Sequence, residues 1–343
     1  MCLFDLVSLV TLYYLTHSAS YIEKNLIMIL KISEHVVHLF FLKEINRFCF
    51  VCSLYKMIRN NVIYEKQDYG IETDHEMITG IEYSEILFQG KSNFQEILIA
   101  DTQAYGICLY LDGILQYTQK DQYAYQEMMS HVPMHCHENP KNILVIGGGD
   151  GGIVREILKH ENVKIDWCEI DSLVLKLSQK YFLENEVSFK SEQVNLFVED
   201  AFQFIKKKRG VYDVIIVDCS DPIGPNSVLF TSEFFKNIHL SLKDNGVFCM
   251  QNESIWNHID FIKRIKTQHA EIFENKTTNY GYLCIPSYPS GQIGFLISKK
   301  GKWQNLKIPT RKCIIKDLDY YHSEIHIAAF VLPTKFAQQL NIL

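Results

Sequence analysis

The sequence predicts an α/β protein, a doubly wound parallel sheet preceded by a small antiparallel β domain. Three observations carry this. From residue 121 onward, short apolar runs alternate with helical patterns, as in a parallel sheet with helices on its faces. One such run, 142–146, opens directly into consecutive glycines. Ahead of these, β-branched and aromatic runs flank an Asp-Gly pair, a strong hairpin signal.

The elements follow in order. EILIA (96–100) and YGICLYL (105–111) read as strands, and Asp112-Gly113 turns the chain into ILQYT (114–118). Residues 68–120 are assigned to the small β domain and 121–343 to the larger α/β domain. YAYQEMMSHV (123–132) has a helical pattern. NILVI (142–146) is a buried parallel strand, with a helix after it at about 152–160. IDWCEI (165–170), VNLFVED (194–200), VYDVIIVD (211–218) and GVFCMQ (246–251) continue the sheet, with helices at 172–181 and about 231–243. YLCIP (282–286) and QIGFLIS (292–298) flank a Pro-Ser-Gly turn and read as a final hairpin.

Composition narrows the function. Across 343 residues, 34 Lys and Arg face 40 Asp and Glu, a formal charge of −6. A basic footprint for nucleic acid is missing. The one basic run, Lys206 to Arg209, reads as a solvated loop. Ten cysteines at irregular spacing in so long a chain read as reduced thiols, which points to the cytoplasm. Cys49 and Cys52 form a CxxC with no second pair to complete a zinc site.

Residues 1–67 differ from the rest. They are apolar and contain no Gly or Pro, and 6–22 carry no formal charge. That run is just short of the ~20 residues that span a bilayer. Asp5 stands where a signal peptide needs a basic start. The segment is either a targeting or anchor sequence or an accessory helical extension, and its role stays open.

Chemistry concentrates at the strand ends. Gly147-Gly148-Gly149-Asp150-Gly151-Gly152 satisfies GxGxxG between a strand and a helix, and Glu169 lies 22 residues beyond Gly147 at the end of the next strand. Glycines let the backbone approach a ligand, and an acid at the second strand end can hold both ribose hydroxyls. The pair indicates nucleoside binding on a Rossmann-like, methyltransferase-type sheet. Asp150 inside the loop would repel a pyrophosphate and suits a cation. Asp200-Ala201 end the third strand, where adenine is commonly read, although Asp200 also suits an N-cap. Adenosine with a positive centre implies a sulfonium. Asp218 and Asp221, at the end of the fourth strand, either cap turns or form an anionic lip for a cationic nucleophile such as a polyamine.

At these residues the chain is similar to the spermidine synthase family of aminopropyltransferases. The matching stretches are 94–133, NILVIGGGDGGIVRE (142–156), CEID (168–171), DVIIVDCSDPIGP (213–225) and IPSYPSGQIGF (285–295), all in family order. The resemblance implies transfer of an aminopropyl group from decarboxylated S-adenosylmethionine to putrescine. It implies donor binding by Gln95, Gln126, Asp150, Glu169, Asp200 and Ala201. Asp150 would pair with the donor's free amine, and Asp218 would be the general base. Tyr125, Asp218, Asp221, Gln251, Glu253 and Tyr288 would hold putrescine. The donor is a co-substrate, so neither cofactor nor metal is expected, and a homodimer is implied. Spermine, thermospermine or methyl transfer on the same scaffold, and an inactive homologue, are the alternatives.

Two family features are absent. The family's Trp-Pro-Gly is replaced near Met77-Ile78-Thr79-Gly80, which leaves one wall of the amine pocket open to question. Cys219 replaces a serine. Three histidines in HVPMHCH (131–137) are clustered, but Pro133 is expected to break the helix that would align them for a metal.

Overall fold

The computed structural model describes residues 58–59, 61–66, 78–219, 224–273 and 278–342. The apolar run 6–22, the Cys49–Cys52 pair and Asp221 lie outside the described residues. Residues from Met57 onward form one compact unit.

The unit begins with two antiparallel sheets. β1 (Ile58–Arg59), β2 (Val62–Lys66) and β3 (Ile78–Glu82) form the first. Strands therefore begin inside the segment assigned to the N-terminal extension. β4 (Glu85–Lys91), β5 (Glu96–Thr102), β6 (Gly106–Leu111) and β7 (Ile114–Thr118) form the second, a simple meander. Asp112 and Gly113 both take positive φ, 47° and 86°, as a tight hairpin turn requires. Alternation along β5 sorts its side chains. Ile97 and Ile99 pack on one side with Val174 and Leu177, and Leu98 and Ala100 pack on the other with Ile63.

The larger part is a seven-stranded mixed sheet. In chain order its elements are α1 (Gln122–Cys136), β8 (Asn142–Gly147), α2 (Gly152–Leu158), β9 (Lys164–Glu169) and α3 (Ser172–Tyr181). α4 (Glu186–Lys190), β10 (Val194–Val198), α5 (Ala201–Lys206) and β11 (Tyr212–Asp218) follow. Then come α6 (Ser232–Ser241), β12 (Leu242–Asn252), α7 (Ile259–Ile272), β13 (Asn279–Cys284) and β14 (Gln292–Lys299). α8 (Ser323–Ala328) and α9 (Thr334–Gln339) end the described chain.

The strand order is β10-β9-β8-β11-β12-β14-β13, with the last two antiparallel. β8 is buried on both faces. Ile143 and Val145 meet Met128 and Met129 of α1 and Ile153 of α2. Leu144 and Ile146 meet Phe204 of α5 and Phe234 and Phe235 of α6. A continuous apolar run is what a strand covered on both sides needs. The chain winds from β8 outward to β10, then crosses back to place β11 on the other side of β8. That reversal opens a crevice at the carboxyl ends of β8 and β11, the usual ligand position in open α/β sheets.

One expectation fails. α1 does not stop at Pro133 but runs on to Cys136. Pro133 cannot donate to the Met129 carbonyl, but Met128, Met129, Val132 and Met134 are all fully buried. Packing of that length of helix outweighs the lost bond. As a result His131 and His135 share a face and converge with His160, with one ring nitrogen from each within 4.8 Å of the others. His137 turns away toward Asp213. Arg311 Nη2 donates to His160 Nδ1 at 3.2 Å, because a guanidinium only donates. The His160 proton therefore sits on Nε2 and reaches His131 Nδ1 at 3.0 Å, and His131 Nε2 donates to Glu156 at 3.1 Å. The cluster is a directed chain of hydrogen bonds, with the lone pairs of His131 and His160 already engaged.

Candidate active site

Register brings the site together. Asp218 pairs with Gly147 across β11 and β8, so the acid and the glycine loop share one sheet edge. Gly148 N donates to the Asp218 carbonyl at 2.9 Å. A Cβ on Gly147 would lie 1.9 Å from that carbonyl oxygen, and its φ is +77°. Only glycine allows this approach.

One cavity gathers Gln95, Tyr125, Gln126, Asp150, Glu169, Asp200, Ala201, Asp218, Gln251, Glu253 and Tyr288. Every proposed site residue within the described chain lines it.

One group of lining residues lies at β8, β9 and β10. Glu169 Oε1 accepts from Asp171 N at 2.8 Å. Asp171 in turn caps α3 and accepts from Gln95 Nε2 at 2.9 Å, which ties β5 to this edge. Asp200 caps α5 by accepting from Gln203 N at 3.0 Å, and it also lines the cavity. Asp150 Oδ1 accepts from Gln126 Nε2 at 2.6 Å and from Gly152 N at 2.8 Å. Both of these hydrogen bonds fall on Oδ1.

A second group lies between α1, β12 and the turn before β14. Tyr125 O–H donates to Asp218 Oδ1 at 2.5 Å. The Tyr125 and Tyr288 rings are 6.5 Å apart, and Tyr288 O–H donates to the Gln116 carbonyl at 2.8 Å. Glu253 lies 3.3 Å from His258 Nδ1, both buried. Asp121 fastens the Tyr288 turn to the start of α1 by accepting from Ser287 N and Oγ at 2.9 and 3.0 Å.

Three half-buried acids are gathered here. Burial pushes Asp218 up to about 7, the Asp150 charge adds to this, and the Tyr125 hydrogen bond opposes it. Burial likewise raises Glu169 to about 7 and Asp150 to about 6. Without ligand, negative charge is crowded and poorly solvated, an arrangement suited to receiving cations.

Spacing alone did not reveal several contributors. Glu65, opposite Thr79 in the β2–β3 pairing, lines the cavity, whereas Ile78 in the stretch that replaces Trp-Pro-Gly is 59% exposed. His258 and Asp121 are also new. Asp121 acts on a turn 166 residues away, a contact no local pattern could signal.

Known proteins are similar to this chain over most of its length. Residues 122–308 match the family model of the spermine/spermidine synthase domain, and 72–119 match the spermidine synthase tetramerisation domain. The chain is 43% identical over 271 residues to spermidine synthase 2 of Arabidopsis thaliana, covering 76% of this chain and 79% of that one. It is 40% identical over 266 residues to spermidine synthase of Dictyostelium discoideum, covering 76% and 92%. Among solved structures it resembles a spermidine synthase in complex with the transition-state analogue AdoDATO, at TM-score 0.75 and 30% identity, covering 84% of this chain and 100% of that one. Spermidine synthase from Thermotoga maritima gives 0.73 and 30%, covering 84% and 99%.

Proposed function

The chain belongs to the spermine/spermidine synthase family and is an aminopropyltransferase, and we propose how its site carries out the reaction. It transfers the aminopropyl group of decarboxylated S-adenosylmethionine to putrescine, giving spermidine and 5′-methylthioadenosine. The observation that carries this assignment is the placement of Asp150, in the loop after β8, and Asp218, at the end of the neighbouring β11, in one cavity.

Glu169 takes the ribose hydroxyls, and Asp200 with Ala201 reads adenine. Gln95 and Gln126 frame the donor. Asp150 offers its carboxylate to the amine of the aminopropyl arm. Ordinary S-adenosylmethionine would bring a carboxylate to the same place and be repelled. Tyr125, Asp218, Asp221 and Tyr288 place the attacking end of putrescine, and Gln251 and Glu253 hold its distal amine.

The attacking amine resembles lysine, with a pKa near ~10.4. An ordinary aspartate is too weak a base to match it, but Asp218, raised by burial, is closer. The neutral amine nitrogen bonds to the propyl carbon as the carbon–sulfur bond breaks. Asp218 takes the proton released from nitrogen, and the sulfur leaves neutral. In-line placement supplies much of the remaining rate. The sulfonium is its own leaving group, so the chemistry calls for no cofactor or metal.

Self-association as a homodimer through the N-terminal β region is part of this proposal. It is supported by the tetramerisation-domain match at 72–119. No helix among the described residues is long and apolar enough to cross a membrane. Cysteine usage supports a cytoplasmic location. The test is incubation with decarboxylated S-adenosylmethionine and either putrescine or spermidine, with products identified by mass. Spermidine from putrescine supports the assignment, and no product from either acceptor contradicts it.

A further inference from the structure

We infer that Arg155 is a positioning residue for donor selectivity, because it sets the direction of the two amides that hold Asp150. The inference rests on the proposed role of Asp150 in receiving the donor's amine. An amide side chain has a donor end and an acceptor end, whereas a guanidinium only donates.

Arg155 Nη2 donates to Gln126 Oε1 at 2.8 Å, so the Gln126 NH2 group must face Asp150 Oδ1, 2.6 Å away. Arg155 Nη1 donates to Asn185 Oδ1 at 2.6 Å, so the Asn185 NH2 group must face the Asp150 carbonyl, 2.9 Å away. Flipping either amide would set oxygen against oxygen on its Asp150 side and N–H against N–H on its Arg155 side. One guanidinium thus clamps Asp150 by its side chain and by its main chain.

The clamp is itself anchored. Arg155 Nε donates to Glu156 Oε1 at 2.9 Å, and Nη2 also reaches Gln122 Oε1 at 2.9 Å. Glu156 stays ionised: burial opposes this, but hydrogen bonds from His131 and Lys159 and the charge of Arg155 outweigh it and hold the group at about 2. The histidine chain from Arg311 therefore ends on the carboxylate that fixes Arg155.

Arg155 does not line the cavity, although Gln122, Gln126 and Asp150 do. Its ion pair is with Glu156, and a neutral amide separates it from the Asp150 carboxylate. Asp150 is oriented without being neutralised, and its charge remains for the donor.

The test compares two nucleosides in the full-length protein. Decarboxylated S-adenosylmethionine carries the amine that meets Asp150, and 5′-methylthioadenosine lacks the whole arm. Calorimetry on Arg155→Met should show donor affinity reduced about 10-fold or more, with methylthioadenosine affinity within about 2-fold of wild type. Preference over S-adenosylmethionine should fall with the donor affinity. Arg155→Lys keeps charge and most of the bulk but lacks the planar fork, and should behave like Arg155→Met. It also serves as the readout if Arg155→Met does not fold. Equal losses for both nucleosides, or full recovery by lysine, would overturn the inference. Turnover of putrescine by wild type is measured first. Its absence would count against the proposed function, whereas normal wild-type turnover with unchanged variant affinities would sink this inference alone.

Discussion

Tyr125, in α1, donates a 2.5 Å hydrogen bond to Asp218 at the end of β11, joining the helix that precedes the sheet to the acid in its crevice. The bond stabilises the ionised carboxylate, so Tyr125→Phe should raise the Asp218 pKa above about 7. The acid limb of the kcat/KM profile should then move to higher pH. An unmoved limb, or one displaced to lower pH, would show that Tyr125 does not support the base.

Asp150 has the opposite influence on Asp218, since its negative charge helps hold the pKa up. Asp150→Asn should therefore shift the same limb to lower pH. It should also narrow the preference for the decarboxylated donor by about 10-fold or more, the scale of a lost charged contact. Both effects are read from initial rates across pH with each donor. Unaltered selectivity would remove Asp150 from the discriminating role.

The crowded acids have a stability consequence whose sign is fixed. A carboxyl whose folded pKa is raised binds its proton more tightly folded than unfolded. Its effect on stability is most favourable below the unfolded value near ~4 and becomes a cost as pH rises toward the folded value. For Asp218, Glu169 and Asp150 that window runs from near ~4 up to about 6 or 7. Asp218→Asn should raise the Tm of the ligand-free protein at pH 8 by about 2 °C or more, and change it little at pH 4. A lower Tm at pH 8 would contradict the burial argument.

Two glycines should separate folding from binding. A Cβ on Gly147 meets main chain at 1.9 Å, so Gly147→Ala must distort β8 or β11. The positive φ alone costs about 1–3 kcal/mol, to which the clash adds. A Cβ on Gly152 meets only the end of the Gln126 side chain, at 1.8 Å. Gly152→Ala should displace that side chain, weakening donor binding while leaving the unfolding midpoint within a few degrees. Thermal melts and donor titrations on the two variants decide this.

Much of the fold was legible because burial wrote it plainly. β8 and β11 are apolar runs covered on both faces, and β7 and α3 appear where the pattern put them. β3 was not legible, since exposed and half-buried residues alternate there without a strong apolar signal. The full length of α1 was hidden by Pro133, because local propensity cannot register how deeply the helix is packed. In the site, Glu169 and Asp218 could be found from their places at strand ends, and Asp150 from its place in the glycine loop. Arg155, Asn185 and Asp121 could not, because their roles depend on which end of a side chain meets which neighbour.

The most direct test of the site mixes the protein with one equivalent of decarboxylated S-adenosylmethionine and excess putrescine, beside Asp218→Asn already loaded with donor. Products are followed by mass over a single turnover. Wild type should yield about one equivalent each of spermidine and 5′-methylthioadenosine. Asp218→Asn should bind the donor comparably but transfer the group about 10²-fold more slowly or worse. No spermidine from wild type, or equal rates from the two proteins, would contradict the account.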